Sequence, residues 1–265
     1  MILATHGIIA SSGAGVTFDT DAQAFITAAS ISDLTQQTAI NSLVTDLKTY
    51  NIWTKMKSLY PFVGGTASTH KFNLKDPRDL DAAYRLTFNG GWTHSSTGAL
   101  PNGTNGYANT FLAPSLMAQN STHFSFYSRT DTTGLKIDIG ANVAVGCNFG
   151  FFARHNSTAI LNINTNFSNT AANTDSLGFY IGSRTASTTQ VLFKNSTKII
   201  NGAGASLTPL TYNIYIGATN YNGTVQNYSN RQTAFASIGD GLTDAEAANF
   251  YTAVQAYQTT LGRQV

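Results

Sequence analysis

The chain has 265 residues, a formal net charge of +2 and only 11% charged residues, with 42% hydrophobic and 11% aromatic content. That is enough apolar matter to bury the core of one large domain, while the scattered basic residues form no run of the kind that tracks nucleic-acid phosphates or anionic lipid. The single cysteine, Cys147, excludes an intrachain disulfide and reads as a small buried thiol.

The first ten residues carry no basic stretch, and Thr5, His6 and Gly7 break their apolar run, so neither a signal peptide nor a membrane span is expected. Gly13-Ala14-Gly15 lacks the spacing and lysine of a phosphate loop and reads as a hinge. Residues 1–18 are therefore expected to form a leader, an arm that anchors the chain to a neighbouring subunit. Residues 19–61 read as helical. Asp19 or Thr20 can cap a short helix through Phe25 and Ile26, and Ser32 or Asp33 a second one. Ala39, Ile40, Leu43, Val44 and Leu47 then recur at helical spacing. A further amphipathic helical turn is expected over Ile52, Trp53, Met56, Leu59 and Tyr60, stopped by Pro61.

From residue 62 to 265 the apolar period becomes two. Phe124 and Phe126, then Leu135, Ile137 and Ile139, then Leu177, Phe179 and Ile181, then Tyr212, Ile214 and Ile216 alternate with polar neighbours. Asn89-Gly90, Asn102-Gly103, Asn105-Gly106, Asn201-Gly202 and Asn222-Gly223 supply turn signals between such runs. Many short strands separated by turns predict an antiparallel β-sandwich. Thr243-Asp244-Ala245-Glu246 matches the capping box, so Thr243 and Glu246 are expected to start a closing helix. Along it, Phe250, Val254, Tyr257 and Leu261 form a seam that packs on the chain's own body.

Glu246 is the only glutamate, and between Leu86 and Ile238 the acidic residues are Asp131, Asp138 and Asp175. Glycosidases place two carboxyls across the scissile bond, and no E-x-D-x-E pattern is present. Asp131 and Asp138 read as turn and solvent-face residues, so the chain is expected not to be an enzyme. His6, His70, His94, His123 and His155 show no metal-ligand spacing, so no metal or other cofactor is expected from the residues alone. The binding candidates lie in two Gly/Asn/Thr-rich segments. One carries Trp92, His94, Tyr107 and Phe111, the other Tyr221, Asn222, Asn227, Tyr228 and Arg231. Flat aromatic faces beside planar amide groups suit the CH faces and hydroxyls of sugars.

Two stretches carry a resemblance. Ala236-Ser237-Ile238-Gly239-Asp240-Gly241-Leu242-Thr243-Asp244-Ala245-Glu246 resembles the last strand and helix start of laminin-G-like, concanavalin A-like jelly rolls. Ala39 through Trp53-Thr54-Lys55-Met56 and Tyr60-Pro61-Phe62 to Asn89-Gly90-Gly91-Trp92-Thr93-His94 resembles virion proteins encoded in phages and prophages of Bacteroidetes-type bacteria. The resemblance implies a mainly β, concanavalin A-like sandwich with a small helical N-terminal part and a C-terminal helix. It implies a virion-surface subunit, a head fibre, spike or tail-associated protein, assembled in the host cytoplasm. Its expected partners are other virion proteins, two further copies in a homotrimer and a host cell-surface glycan, with no nucleic acid and no membrane span. A purely structural cement protein and a glycan depolymerase are the alternatives. Laminin-G-like domains often hold calcium, but no ligand set is assigned here.

Overall fold

The computed structural model describes residues 17–265, so the expected arm, its Gly13-Ala14-Gly15 hinge and His6 lie outside the described residues. The chain opens with helices α1 (Thr20–Ala28) and α2 (Leu34–Thr49), then strand β1 (Met56–Tyr60) and the short helix α3 (Ala67–His70). There follow β2 (Thr87–Asn89), β3 (Trp92–Ser95), β4 (Gly98–Pro101), β5 (Tyr107–Asn109), β6 (Thr122–Ser128), β7 (Ile139–Asn142), β8 (Asn148–His155) and β9 (Thr158–Thr165). The rest is β10 (Asn169–Ala172), β11 (Gly178–Arg184), β12 (Thr189–Lys194), β13 (Thr197–Ala203), β14 (Tyr215–Ile216), β15 (Thr219–Tyr221), β16 (Thr224–Gln226), β17 (Thr233–Gly239) and helix α4 (Asp244–Thr260).

The strands form two sheets. One has eight strands in the order β13-β12-β11-β6-β17-β4-β3 with β1 also on β17, and the other nine in the order β10-β9-β8-β7-β14-β5-β2 with β15 on β7 and β16 on β15. Pairing is antiparallel except between β15 and β7. The period-two pattern explains the layering. Phe124, Phe126, Tyr180, Leu192 and Ile238 of the eight-stranded sheet meet Ile139, Phe149, Phe151, Leu161 and Ile216 of the other. The alternate residues Tyr127, Phe179, Ile181, Phe193 and Phe235 point the opposite way, into a second core made with α1, α2 and α4. Phe250 of α4 sits 5.3 Å from Phe179 and 5.9 Å from Phe235, ring centre to ring centre. Helices thus cover one face of the eight-stranded sheet, and the nine-stranded sheet covers its other face.

Asp19 and Asp33 cap α1 and α2 as their spacing predicts, each carboxylate accepting from a first-turn N–H. Thr243 Oγ1 accepts from Glu246 N at 3.3 Å, and the Glu246 carboxylate accepts from Thr243 N at 2.8 Å. Phe250, Val254 and Tyr257 are buried and Leu261 packs against the same core, so the seam is internal. The expected turn at Asn222-Gly223 joins β15 to β16 with both residues at positive φ.

Three expectations need correction. Met56–Tyr60 is a strand paired with β17, not a helical turn; the apolar spacing fits either, and the pairing partner decides. Leu135 is exposed, and only Ile139 of its trio lies in a strand. Asn201-Gly202 lies inside β13, where a Cβ at Gly202 would come within 2.2 Å of the Asn169 side chain. That amide donates to Ala203 O at 2.7 Å, so the glycine is there for close approach.

Candidate functional site

With the helices on one sheet, the sheet surface left toward solvent is on the outer face of the nine-stranded sheet, and it is open only in part. Strand register fixes what stands on it. Thr87 lies opposite Asn109, Asn109 opposite Tyr215, Tyr215 opposite Gly140, Gly140 opposite Gly150, and Gly150 opposite Asn162. Directly opposed residues share a face, so these six make one row across β2, β5, β14, β7, β8 and β9. The neighbouring row, through Phe88, Ala108, Ile216, Ile139, Phe151 and Leu161, faces the core.

Tyr107, two residues from Asn109, carries its ring 4.7 Å from that of Tyr215 at an interplanar angle of 35°. Burial, and then the neighbouring Tyr107, push the Tyr215 phenol up, so it stays a neutral donor near neutral pH. The parallel pairing places Tyr221 beside Asn142 on β7, and Asn222 N donates to Asn142 O at 2.9 Å. Tyr212 Oη donates to Asn222 Oδ1 at 2.6 Å. The row is closed from its middle to its Asn162 end: Gly140, Gly150 and Asn162 are buried, and a Cβ at Gly140 would meet the Ile137 side chain at 2.8 Å, so the half-exposed members are Thr87, Asn109 and Tyr215. Beyond its other end, a cavity of about 310 Å³ is lined by Ala67, Ser68, Lys71, Arg85, Leu86, Thr87 and Phe88. Thr87 therefore belongs to both the row and the cavity.

The residues expected to bind separate into distinct groups. Tyr107, Tyr221 and Asn222 border this surface, and Tyr228 is partly exposed in the segment that follows β16. Trp92 and His94 stand on β3 at the edge of the other sheet. The indole N–H of Trp92 is shared between Asn89 O at 3.1 Å and Tyr107 O at 3.3 Å, so Trp92 braces the strand that carries Tyr107. Phe88 packs edge-on against both Trp92 and His94. His94 Nδ1 faces Nδ1 of the buried His70 at 2.9 Å, one ring donating to the other. Burial, followed by His94 and Arg263, pushes His70 down to about 3.

Arg231 requires correction as a ligand contact. Its guanidinium is completely buried and donates to both oxygens of Asp138, at 3.0 and 3.1 Å, as well as to Thr132 O and Arg154 O. Asp138 is equally buried rather than on a solvent face, and also accepts from Ser229 Oγ and Ala153 N. Asp131 accepts from Arg154, Ser176 N and Ser176 Oγ. Cys147 is buried, which pushes its thiol up to about 11. Among the described residues no group of three or more His, Cys, Asp or Glu side chains is placed to hold a metal ion, and no helix is long and apolar enough to cross a membrane.

Sequence reasoning missed Thr87, Asn109 and Tyr215. Tyr215 sits between Ile214 and Ile216, and the apolar members of that alternation drew attention to the core face. The polar members mark the opposite one.

No family model and no curated protein matches the sequence. Solved structures do match in shape. Domain 4 of AbnA, an extracellular GH43 arabinanase from Geobacillus stearothermophilus in complex with arabinotriose, superposes with a TM-score of 0.50 at 10% identity, over 74% of this chain and 98% of that one. A Trypanosoma rangeli sialidase mutant displaying trans-sialidase activity gives a TM-score of 0.56 at 10% identity, over 82% of this chain and 39% of that one. The same sialidase as a covalent intermediate gives 0.53 at 9% identity, over 81% and 38%. The fold is a concanavalin A-like sandwich. The chain spans about two-fifths of the length of the sialidase chains it matches. The expectation that the chain is not an enzyme is corrected by these matches: its fold occurs within an arabinanase and within sialidases, so a missing E-x-D-x-E pattern does not set it apart from glycan-active proteins.

Proposed function

We propose that this chain is a glycan-recognition domain whose ligand lies along the outer face of the nine-stranded sheet. The observation that carries the reading is the half-exposed run Thr87, Asn109 and Tyr215, in register across β2, β5 and β14, with Tyr107 packed beside Tyr215. Tyrosine rings offer faces for sugar CH groups and phenols for sugar hydroxyls. The Asn109 and Asn222 amides add donors and acceptors in fixed planes. The arabinotriose complex of a similarly folded domain supports the same ligand class.

The resemblance to phage virion proteins supplies the setting: a subunit of a head fibre, spike or tail, presented as a homotrimer, with this face directed at glycans of the host surface. Glycan-array binding by the purified chain tests the recognition reading, with Tyr215→Ala and Tyr107→Ala each reducing the signal at least about tenfold, the weight of one or two good contacts. Uniform failure of the wild type across the array would leave a purely structural subunit as the better account. Incubating the same glycans and assaying new reducing ends tests whether bound material is also cleaved. Antibody labelling of particles by electron microscopy tests the setting.

A further inference from the structure

We infer that the cavity at the Thr87 end of this face takes the carboxylate of an acidic sugar residue, held by Lys71 and Arg85. The inference rests on the glycan reading and adds the class of sugar. Lys71 and Arg85 both line the cavity, with the hydroxyl-bearing Ser68 and Thr87 and the apolar Ala67, Leu86 and Phe88, and no carboxylate is among the lining residues. Lysine and arginine side chains only donate hydrogen bonds. A lining of this kind suits a group that only accepts, such as a carboxylate.

The cations are held in place before any ligand arrives. Leu86 N donates to Lys71 O at 2.7 Å, tying together the two segments that carry them. Asp79 accepts from Lys71 Nζ at 2.5 Å and from Arg85 Nη1 at 2.8 Å, and Asp81 accepts from Arg85 Nε at 2.8 Å. The Asp79 and Asp81 side chains are 45% and 53% exposed, and exposed pairings of this kind are weak and exchangeable. Among the described residues Arg85 Nη2 has no hydrogen-bond partner, since the bonds of that guanidinium run from Nε and Nη1. A ligand carboxylate can accept from Nη2 and from the remaining Lys71 protons without breaking the network. The volume, about 310 Å³, is at the small end of ligand sites, fit for a single sugar residue. The rest of the oligosaccharide would continue past Thr87 and Asn109 onto the Tyr215 platform.

The experiment uses matched probes: trigalacturonate, a hyaluronan tetrasaccharide and 3'-sialyllactose, each against its carboxyl-reduced form, titrated into the protein by calorimetry. At least one acidic probe is expected to bind about tenfold or more tightly than its reduced partner, the difference made by a charge-assisted contact, and to lose that margin in high salt. The double variant Lys71→Gln/Arg85→Gln should bind both forms as the wild type binds the reduced one. Arg85→Lys, which keeps the charge and loses the free Nη2 donor, should keep part of the margin, and circular dichroism checks that both variants are folded. If the acidic and reduced forms bind equally while Tyr215→Ala weakens both, the acidic-sugar inference is overturned and the glycan reading stands. If neither form of any probe binds and the glycan array is also silent, both readings fall. Equal binding of inorganic phosphate and the acidic probes would also overturn the inference, reducing the site to a general anion sink.

Discussion

The two sheets of this sandwich are built from similar residues and live in different surroundings. Every residue of β6, β11 and β17 in the eight-stranded sheet is buried, because helices lie on one side and the second sheet on the other. In the nine-stranded sheet β2, β5 and β16 keep half-exposed or exposed residues, whereas β7 and the later part of β9 are almost wholly buried. A buried face is fixed by packing, whereas an open face can be shaped by what it must touch. The proposed ligand surface lies on the more open of the two sheets.

The largest expected effect comes from the clamp between the sheets, since Asp138 precedes β7 and Arg231 precedes β17. Asp138→Ala leaves a guanidinium buried without its carboxylate and should cost about 3 to 5 kcal/mol, read as a lower urea midpoint with the slope unchanged. Phe179→Ala, in the core under the helices, should cost about 3 to 5 kcal/mol, whereas Tyr215→Ala, half-buried against Tyr107, should cost only about 1 kcal/mol while weakening glycan binding. Equal destabilisation by the two would erase the distinction between the sheets.

Acid should act through the buried histidines. Burial pushes His123 down to about 4, with the Asp240 carbonyl, Lys55 and Glu246 as smaller influences, and His70 lies at about 3. Both lie below the ordinary value of 6.5. The unfolded chain therefore takes up protons first, and stability is full above about pH 6.5 and falls as the pH is lowered toward those values. Each histidine contributes at most about 1.4 kcal/mol per pH unit. Urea midpoints at pH 7.5 and pH 5.0 measure the loss, and a flat profile would show that neither ring is neutral and buried.

The smallest effect concerns the helix cover. Partial burial raises the Glu246 carboxyl, and its bonds to Lys55 and Thr243 outweigh that and hold it below the ordinary value. Glu246→Ala removes the reciprocal cap and the Lys55 pairing and should cost about 0.5 to 2 kcal/mol, seen as a lower thermal midpoint with glycan binding unchanged. A change in binding would mean that the helix side and the open face are coupled.

The features legible in the sequence were those whose causes lie within a few residues. The caps at Asp19, Asp33 and Thr243, the Asn222-Gly223 turn and the alternation in β6 and β11 all depend on neighbours. What was misread depends on distant partners. Asp138 finds Arg231 at a separation of 93 residues, and Met56–Tyr60 becomes a strand only by pairing with β17. The candidate surface was legible in part, through Tyr107, Tyr221 and Asn222. Its centre, Asn109 beside Tyr215, exists only once β5 and β14 are in register, and strand register is set by tertiary pairing.

The position of β17 also has a consequence for the order of assembly. It is the last strand made, yet it lies between β6 on one side and β1 and β4 on the other. Until it emerges, the eight-stranded sheet is three unjoined pieces, β13-β12-β11-β6, β4-β3 and β1, and β6 shows a bare hydrogen-bonding edge, a template for pairing with another chain. Pairings this distant in sequence make folding slow, so the nascent chain is at greatest risk of aggregating just before its final strand closes the gap.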